Sequence, residues 1–230
     1  MAEKKRIDID LVIFTATSNE AVEARRVQRE PFGKTTVGTV NASIGHLGKH
    51  TCLTVASGMS KRRLNNTFQD LARKFKPRLF INFGAAGAIN PKLDIAKPTI
   101  PAEIVGYTWP DLDTRGQLIS CPWKPLEKID PSLTITKAGS CAHDIRDKEI
   151  RERLFQLYKI DTTDWETHRL AEACRLLKIP FLALRCISDH ADARAGIEYS
   201  KNAQTALQRG ARLLERIADK ALGIIENESK

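Results

Sequence analysis

Apolar positions along the chain fall into short, unalternating runs rich in Val, Ile, Leu and Phe, at 9–14, 52–55, 79–83, 133–136 and 181–187. Runs of this length without alternation suit strands buried on both faces. Between them the spacing changes to helical. Residues 19–28 follow Ser18, a residue type that caps helices. Over 64–75, Leu64, Phe68, Leu71 and Phe75 share one face, and the pattern stops ahead of Pro77. Helices are also predicted over 147–157, 165–177 and 200–225, the last with Ala206, Leu213, Ile217, Leu222 and Ile225 near one stripe. Strands alternating with helices predict an α/β fold, a three-layer sandwich around a mixed, largely parallel central sheet. Residues 106–132 carry four prolines and little periodicity, and read as a long loop.

The chain has 230 residues, 42% hydrophobic and 28% charged. This suits one domain, 1–230, able to bury about 70% of its unfolded surface. No apolar run approaches the roughly 20 residues of a membrane-spanning helix. The N-terminal MAEKKRIDID has no apolar core of a signal peptide, so a soluble, cytoplasmic protein is expected. Five cysteines, odd in number and without a CxxC pair, predict neither a disulfide framework nor a zinc site. The formal charge of +9 is spread in small clusters, of which Lys61, Arg62 and Arg63 lie beside a segment of interest. No RNP-type or helix-turn-helix motif accompanies it, so nucleic acid is not the expected partner.

Four segments are suited to chemistry. Ser57-Gly58-Met59-Ser60-Lys61 joins a strand to a helix with small residues that let a ligand approach the backbone. Asn82-Phe83-Gly84-Ala85-Ala86-Gly87-Ala88 leaves a side-chain-poor surface after a buried strand, or is simply a tight turn. It lacks GxGxxG spacing, which disfavours a dinucleotide. Asp164-Trp165-Glu166-Thr167 opens a helix. There a carboxylate either complements the dipole or, as Glu166, accepts hydrogen bonds from a ribose diol. Arg185-Cys186-Ile187-Ser188-Asp189 ends a buried strand. Asp189 is either a helix cap or an acid whose apolar setting keeps it protonated.

Taken in order, these segments resemble the nucleoside phosphorylase superfamily in its hydrolase branch, the 5′-methylthioadenosine/S-adenosylhomocysteine nucleosidases. That family shows Gly-Ala-Met-Glu-Glu-Glu, Ser-Gly-Ile-Gly-Lys, Asn-Thr-Gly-Ser-Ala-Gly-Gly, Glu-Met-Glu and Arg-Ala-Ile-Ser-Asp. The counterparts here are Thr15 to Glu20, Ser57 to Lys61, Asn82 to Ala88, Asp164 to Glu166 and Arg185 to Asp189. Order and spacing agree over 57–105 and 140–192. The resemblance implies hydrolysis of the N-glycosidic bond of a purine nucleoside, without metal or cofactor, by a homodimer. It makes Asp189 the acid that protonates the purine at N7, with Ser188 orienting it. Glu20 activates water, Glu166 grips the ribose hydroxyls, Trp165 packs on the sugar, and Ala86 and Gly87 line sugar and base.

The chain departs from the pattern at several points. Ala85 stands where the family has serine at the nucleophile. Only Glu20 carries over well from the first turn. Cys141-Ala142-His143-Asp144 replaces an apolar segment that stacks on adenine, leaving His143 to stack and Asp144 to accept from an amino group. The 106–132 segment is shorter than the family loop over the 5′ substituent. The nucleophile follows from charge: Glu20 near a phosphate dianion is repulsive, which favours water. Arg25, Arg62 or Arg63 in the pocket would reverse that choice toward phosphorolysis, including the adenosylated-lipid type. A non-catalytic nucleoside-binding or regulatory module is the remaining alternative.

Overall fold

The structure, a computed structural model, describes residues 6–228. The chain runs β1 (Ile7–Thr15), α1 (Ser18–Arg26), β2 (Arg29–Val37), β3 (Val40–Leu47), β4 (His50–Ala56), α2 (Lys61–Lys74) and β5 (Phe75–Ala88). It continues with β6 (Pro98–Tyr107), β7 (Thr114–Ser120), a 3-10 turn (Lys124–Ile129), β8 (Thr134–Ser140), α3 (Lys148–Tyr158) and β9 (Thr162–Asp164). The last elements are α4 (Thr167–Leu176), β10 (Phe181–Asp189), α5 (Ala195–Ala211) and α6 (Leu214–Glu228). The strands form one sheet in the order β10-β6-β8-β9-β5-β1-β4-β3-β2, with β7 on β6. Because β10 also pairs with β5, part of the sheet closes into a ring, β5-β10-β6-β8-β9. The strands β4, β1, β5 and β10 run parallel, as do β6, β8 and β9. Antiparallel pairings join the two groups and form the β2-β3-β4 flank.

Alternate residues of the central strands face opposite sides, as strand geometry requires. Leu11, Ile13, Leu79, Ile81, Leu182 and Leu184 pack with Ala24 of α1 and with Ala206, Leu207, Ile217 and Leu222 of α5 and α6. Val12, Phe14, Phe80, Phe181 and Ala183 pack on the other face with Leu64, Phe68 and Leu71 of α2 and Leu170 and Cys174 of α4. Both faces are therefore buried, which accounts for the unalternating runs and gives helix, sheet and helix layers. All five cysteines are free thiols. Among the described residues no helix is long and apolar enough to cross a membrane.

The structure differs from the sequence expectations at four places. The cap of α1 is Thr17, not Ser18: its side chain accepts from Glu20 N–H, and Glu20 reaches back to Thr17 N–H, a capping box. β5 begins at Phe75 and includes Pro77, which is tolerated because β10 pairs with β5 only from Phe80 onward. The predicted helix 200–225 is two helices with a turn at Arg212 and Leu213. Periodicity misses that break because Ala211, Leu213 and Leu214 are all buried. Segment 106–132 is not one loop: it holds the end of β6, β7 and the 3-10 turn. β7 escapes a hydrophobicity reading because it is an edge strand burying only Ile119.

Candidate functional site

A cavity of about 320 Å³ lies where the carboxyl ends of β1, β5, β9 and β10 converge. Every residue anticipated for the site lines it: Glu20, Ala86, Gly87, His143, Asp144, Trp165, Glu166, Ser188 and Asp189.

Asp189 is the last residue of β10, and α5 does not start until Ala195, so it caps no helix. Its Oδ2 accepts from Ser188 Oγ at 2.7 Å, and its Oδ1 accepts from Ala191 N–H at 2.9 Å. Burial raises its pKa above the ordinary carboxylate value, against the lowering effect of those two hydrogen bonds; the charges of Glu198 and Asp144 add to the rise. Gly87 makes the room: a Cβ there would stand 2.9 Å from Asp189 Oδ1 and 3.1 Å from Ala191 Cβ.

Glu166 occupies the N-cap position of α4, but its side chain makes no capping hydrogen bond. That task falls to Asp164, whose Oδ1 accepts from Glu166 N–H at 3.0 Å and Thr167 N–H at 2.8 Å. The Glu166 carboxylate is thereby left to the cavity. Arg185, fully buried, donates from Nη2 to Glu166 Oε1 at 2.7 Å. It lies 3.1 Å from Asp164 through Nε and also donates to Asn82 and Thr167. Burial pushes the Glu166 pKa up to about 7, opposed by Arg185 and reinforced by Asp164 and Glu20. Burial alone would lower the Arg185 pKa, but Asp164, Glu166 and Glu20 outweigh it and raise it.

Glu20 is held by three backbone donors: Ala16 N–H at 3.0 Å and Thr17 N–H at 2.8 Å on Oε2, and Ala85 N–H at 3.1 Å on Oε1. A carboxylate has about four acceptor positions, so one remains, on Oε1. Beside it lies Arg185 Nη1, buried and without a hydrogen-bond partner. A Cβ on Gly84 would stand 2.5 Å from that nitrogen and 2.6 Å from Glu20 Oε1. An open acceptor position and an unpartnered donor thus stand close together beside Gly84, whose lack of a side chain lets both approach.

On the opposite wall His143 and Trp109 form a tilted ring pair, centroids 5.8 Å apart. Asp144 is engaged by Arg146 through Oδ2, at 2.7 and 3.2 Å, which leaves Oδ1 open. Arg25, Arg62 and Arg63 do not line this cavity. Among the described residues no group of three or more His, Cys, Asp or Glu side chains is placed to hold a metal ion.

Arg146 and Tyr199 line the site without any sequence expectation, whereas Arg185, Thr17 and Met59 lie within expected segments but carry no assigned role there. Arg185 stood within a recognised motif; a charged residue in the middle of the apolar run 181–187 is itself the signal, since a cation is buried only with partners. Tyr199 carries no such mark in the sequence.

A family model described as the phosphorylase superfamily matches residues 10–133 and 133–219. The 5′-methylthioadenosine/S-adenosylhomocysteine nucleosidase of Anoxybacillus flavithermus is 23% identical over 206 residues, covering 79% of this chain and 86% of that protein. The protein of the same name from Staphylococcus saprophyticus is 25% identical over 193 residues, covering 75% and 83%. The solved structure of the Helicobacter pylori 5′-methylthioadenosine/S-adenosylhomocysteine nucleosidase with butyl-thio-DADMe-Immucillin-A superposes with a TM-score of 0.82 at 18% identity. That match covers 94% of this chain and all of the other, and is a likeness of fold.

Proposed function

Because the chain belongs to the phosphorylase superfamily, we propose that its cavity is the site of a purine nucleosidase that hydrolyses the N-glycosidic bond of nucleosides such as 5′-methylthioadenosine and S-adenosylhomocysteine. Both substrates are named for relatives that align over more than four-fifths of their own length. The purine lies toward β10, where protonated Asp189 gives its proton to N7. The bond from C1′ to N9 breaks, its electron pair goes to the base, and the base leaves neutral. A water in the space beside Gly84 accepts from Arg185 Nη1 and donates to Glu20 Oε1. Its oxygen bonds to C1′ and its proton passes to Glu20. Glu166 accepts from the ribose hydroxyls through the oxygen that Arg185 does not occupy. Glu166 and Glu20 also stabilise the positive charge that develops on the sugar.

One observation supports water over phosphate. Three carboxylates, Glu20, Asp164 and Glu166, surround one guanidinium beneath the sugar position. A phosphate dianion entering that excess negative charge meets repulsion of about 1 kcal/mol per unit charge pair at 4 Å even in water, and more in a cleft. The test is a panel of nucleosides with and without phosphate, scored for free base and free sugar. Phosphate-independent release of adenine is expected; release only with phosphate, as ribose 1-phosphate, refutes hydrolysis. We further propose a homodimer, because Met59, Trp165, Ile197 and Tyr199 are exposed apolar residues at or beside the mouth. Sedimentation equilibrium reads this directly, and a monomer at micromolar concentration overturns it.

A further inference from the structure

Beyond Asp189 the chain turns through His190 and Ala191 before α5 begins. Ala191 N–H donates to Asp189 Oδ1 at 2.9 Å, an Asx turn of a common kind. The conformation behind it is not common. Ala191 is buried and has a φ of 50°, in the left-handed region that a residue with a Cβ seldom occupies. Such a backbone persists only where its surroundings impose it.

Two side chains that do not line the cavity grip this turn. Arg151, on α3, donates from Nη1 to the His190 carbonyl at 2.9 Å. That carbonyl and the Ala191 N–H belong to one planar peptide, in which they point opposite ways. Holding the oxygen therefore aims the N–H at Asp189. Glu198, in the first turn of α5, holds the preceding peptide: its Oε2 accepts from His190 N–H at 3.0 Å and lies 2.9 Å from His190 Nδ1. Each side chain also has a plainer partner. Arg151 lies 3.7 Å from Asp192, and Glu198 lies 3.3 Å from Arg194, which is 70% exposed. Both of those contacts are longer than the grips on residue 190.

We propose that Arg151 and Glu198 are positioning residues for the acid: by clamping the peptides on either side of His190 they fix the N–H on Asp189 Oδ1, and with it the direction in which the carboxyl presents its proton. Ser188 Oγ, on Oδ2, completes the hold. Each carboxyl oxygen then keeps one further lone-pair position for the proton or the base. Proton transfer needs that position well aimed, and a small misplacement is costly. The clamp also bears on acid strength. Burial is the main cause of the raised Asp189 pKa; the Ala191 N–H works against it, and the charges of Glu198 and Asp144 add to it. Tyr199 of α5 faces the same carboxyl, and Arg151, Asp192 and Arg194 bracket the turn. This inference rests on the nucleosidase reading of the cavity.

Arg151→Met keeps a long apolar stem but offers the carbonyl no donor. Adenine release from 5′-methylthioadenosine should fall about 10- to 100-fold in kcat, with KM within about threefold because the contacts to base and sugar remain. Arg151→Lys restores one donor and recovers part of the rate. The alkaline limb of the pH profile, set by Asp189, should move in opposite directions in two variants. Glu198→Gln still accepts from His190 but removes a charge that raises the Asp189 pKa, so the limb moves to lower pH. Arg151→Met loosens the Ala191 N–H that lowers it, so the limb moves to higher pH. A lower melting temperature with kcat, KM and the limb unmoved, or a loss carried by KM alone, overturns the proposal. Should Arg151→Met not fold, Arg151→Lys and Glu198→Gln decide, and an unmoved limb in Glu198→Gln overturns it. If the unaltered enzyme releases no base, the nucleosidase reading fails. The clamp is then judged by ¹³C NMR titration of the Asp189 carboxyl carbon, assigned with Asp189→Asn. Opposite displacements in the two variants support it, and an unmoved titration overturns it.

Discussion

Arg185 donates from Nη2 to Glu166 Oε1 at 2.7 Å, while its Nη1, buried and without a partner, stands with Glu20 Oε1 over Gly84, where a side chain would strike both. One guanidinium thus sits between the carboxylate assigned to the sugar hydroxyls and the carboxylate assigned to the water. Asn82, Thr167 and Asp164 hold it in that position.

The space itself is therefore testable. In Gly84→Ala a methyl group stands 2.5 Å from Arg185 Nη1 and 2.6 Å from Glu20 Oε1, inside contact distance of both. Hydrolysis is expected to fall at least about 100-fold, because water is displaced and its two holders are pushed apart. Overpacking costs about 1–3 kcal/mol of stability. Gly223→Ala is the matched control: nothing lies within 4 Å of its added carbon. In the interior of α6 that change is neutral or stabilising by up to about 1 kcal/mol. Steady-state kinetics and urea denaturation read both variants; wild-type turnover in Gly84→Ala removes the water from this position.

Asp189→Asn keeps the shape of the side chain and its acceptor oxygen but cannot deliver a proton. Base release is expected to fall about 100-fold or more, the usual worth of a general acid. The variant should fold normally, because the contacts with Ser188 and Ala191 have amide equivalents. Circular dichroism checks the fold and adenine release checks the chemistry. Undiminished release assigns the acid elsewhere.

Much of this arrangement was readable from the chain, for identifiable reasons. The strands buried on both faces announce themselves as apolar runs; Asp189 stands at the end of one, where side chains meet ligands, and Glu166 at a helix start. The hairpin of β2 and β3 was missed because its exposed positions are polar and its burial is partial. The sequence marks Arg185 as part of a motif but not as a hub, since its partners come from residues 82, 164, 166 and 167 and meet only in the fold. The walls supplied by Met59, Tyr199 and Arg146 depend on how α2, α5 and the segment after β8 close over the strand ends. No local pattern encodes that closure.

The pH dependence should separate the two carboxyl groups. Glu166 acts as an acceptor, so kcat/KM falls on acidification through its raised pKa of about 7. Asp189 acts as a donor, so activity falls at higher pH as it ionises. Glu166→Gln should erase the acid limb and Asp189→Asn the alkaline one. The same shift bears on stability. The folded state holds a proton on Glu166 that the unfolded state releases near 4.5, so stability declines as pH rises from about 4.5 to about 7. The slope is at most about 1.4 kcal/mol per pH unit. Denaturation midpoints of Glu166→Gln should lack that slope. An acid limb that persists in this variant belongs to another group.

Arg185 occupies one oxygen of Glu166, which leaves the other for the ribose hydroxyls. In Glu166→Gln, Arg185 still finds a carbonyl oxygen, so the side chain keeps its place. What faces the sugar becomes an amide N–H₂, a donor where the diol needs an acceptor. A charge-assisted hydrogen bond lost from the transition state is worth about 2 kcal/mol, or roughly thirtyfold in kcat/KM. That loss should fall on ribonucleosides, while 2′-deoxyribonucleosides, already lacking one hydroxyl, should lose distinctly less. Kinetics with adenosine and 2′-deoxyadenosine give the ratio. If the substitution penalises both substrates equally, Glu166 serves the architecture around Arg185 and the ribose is recognised elsewhere.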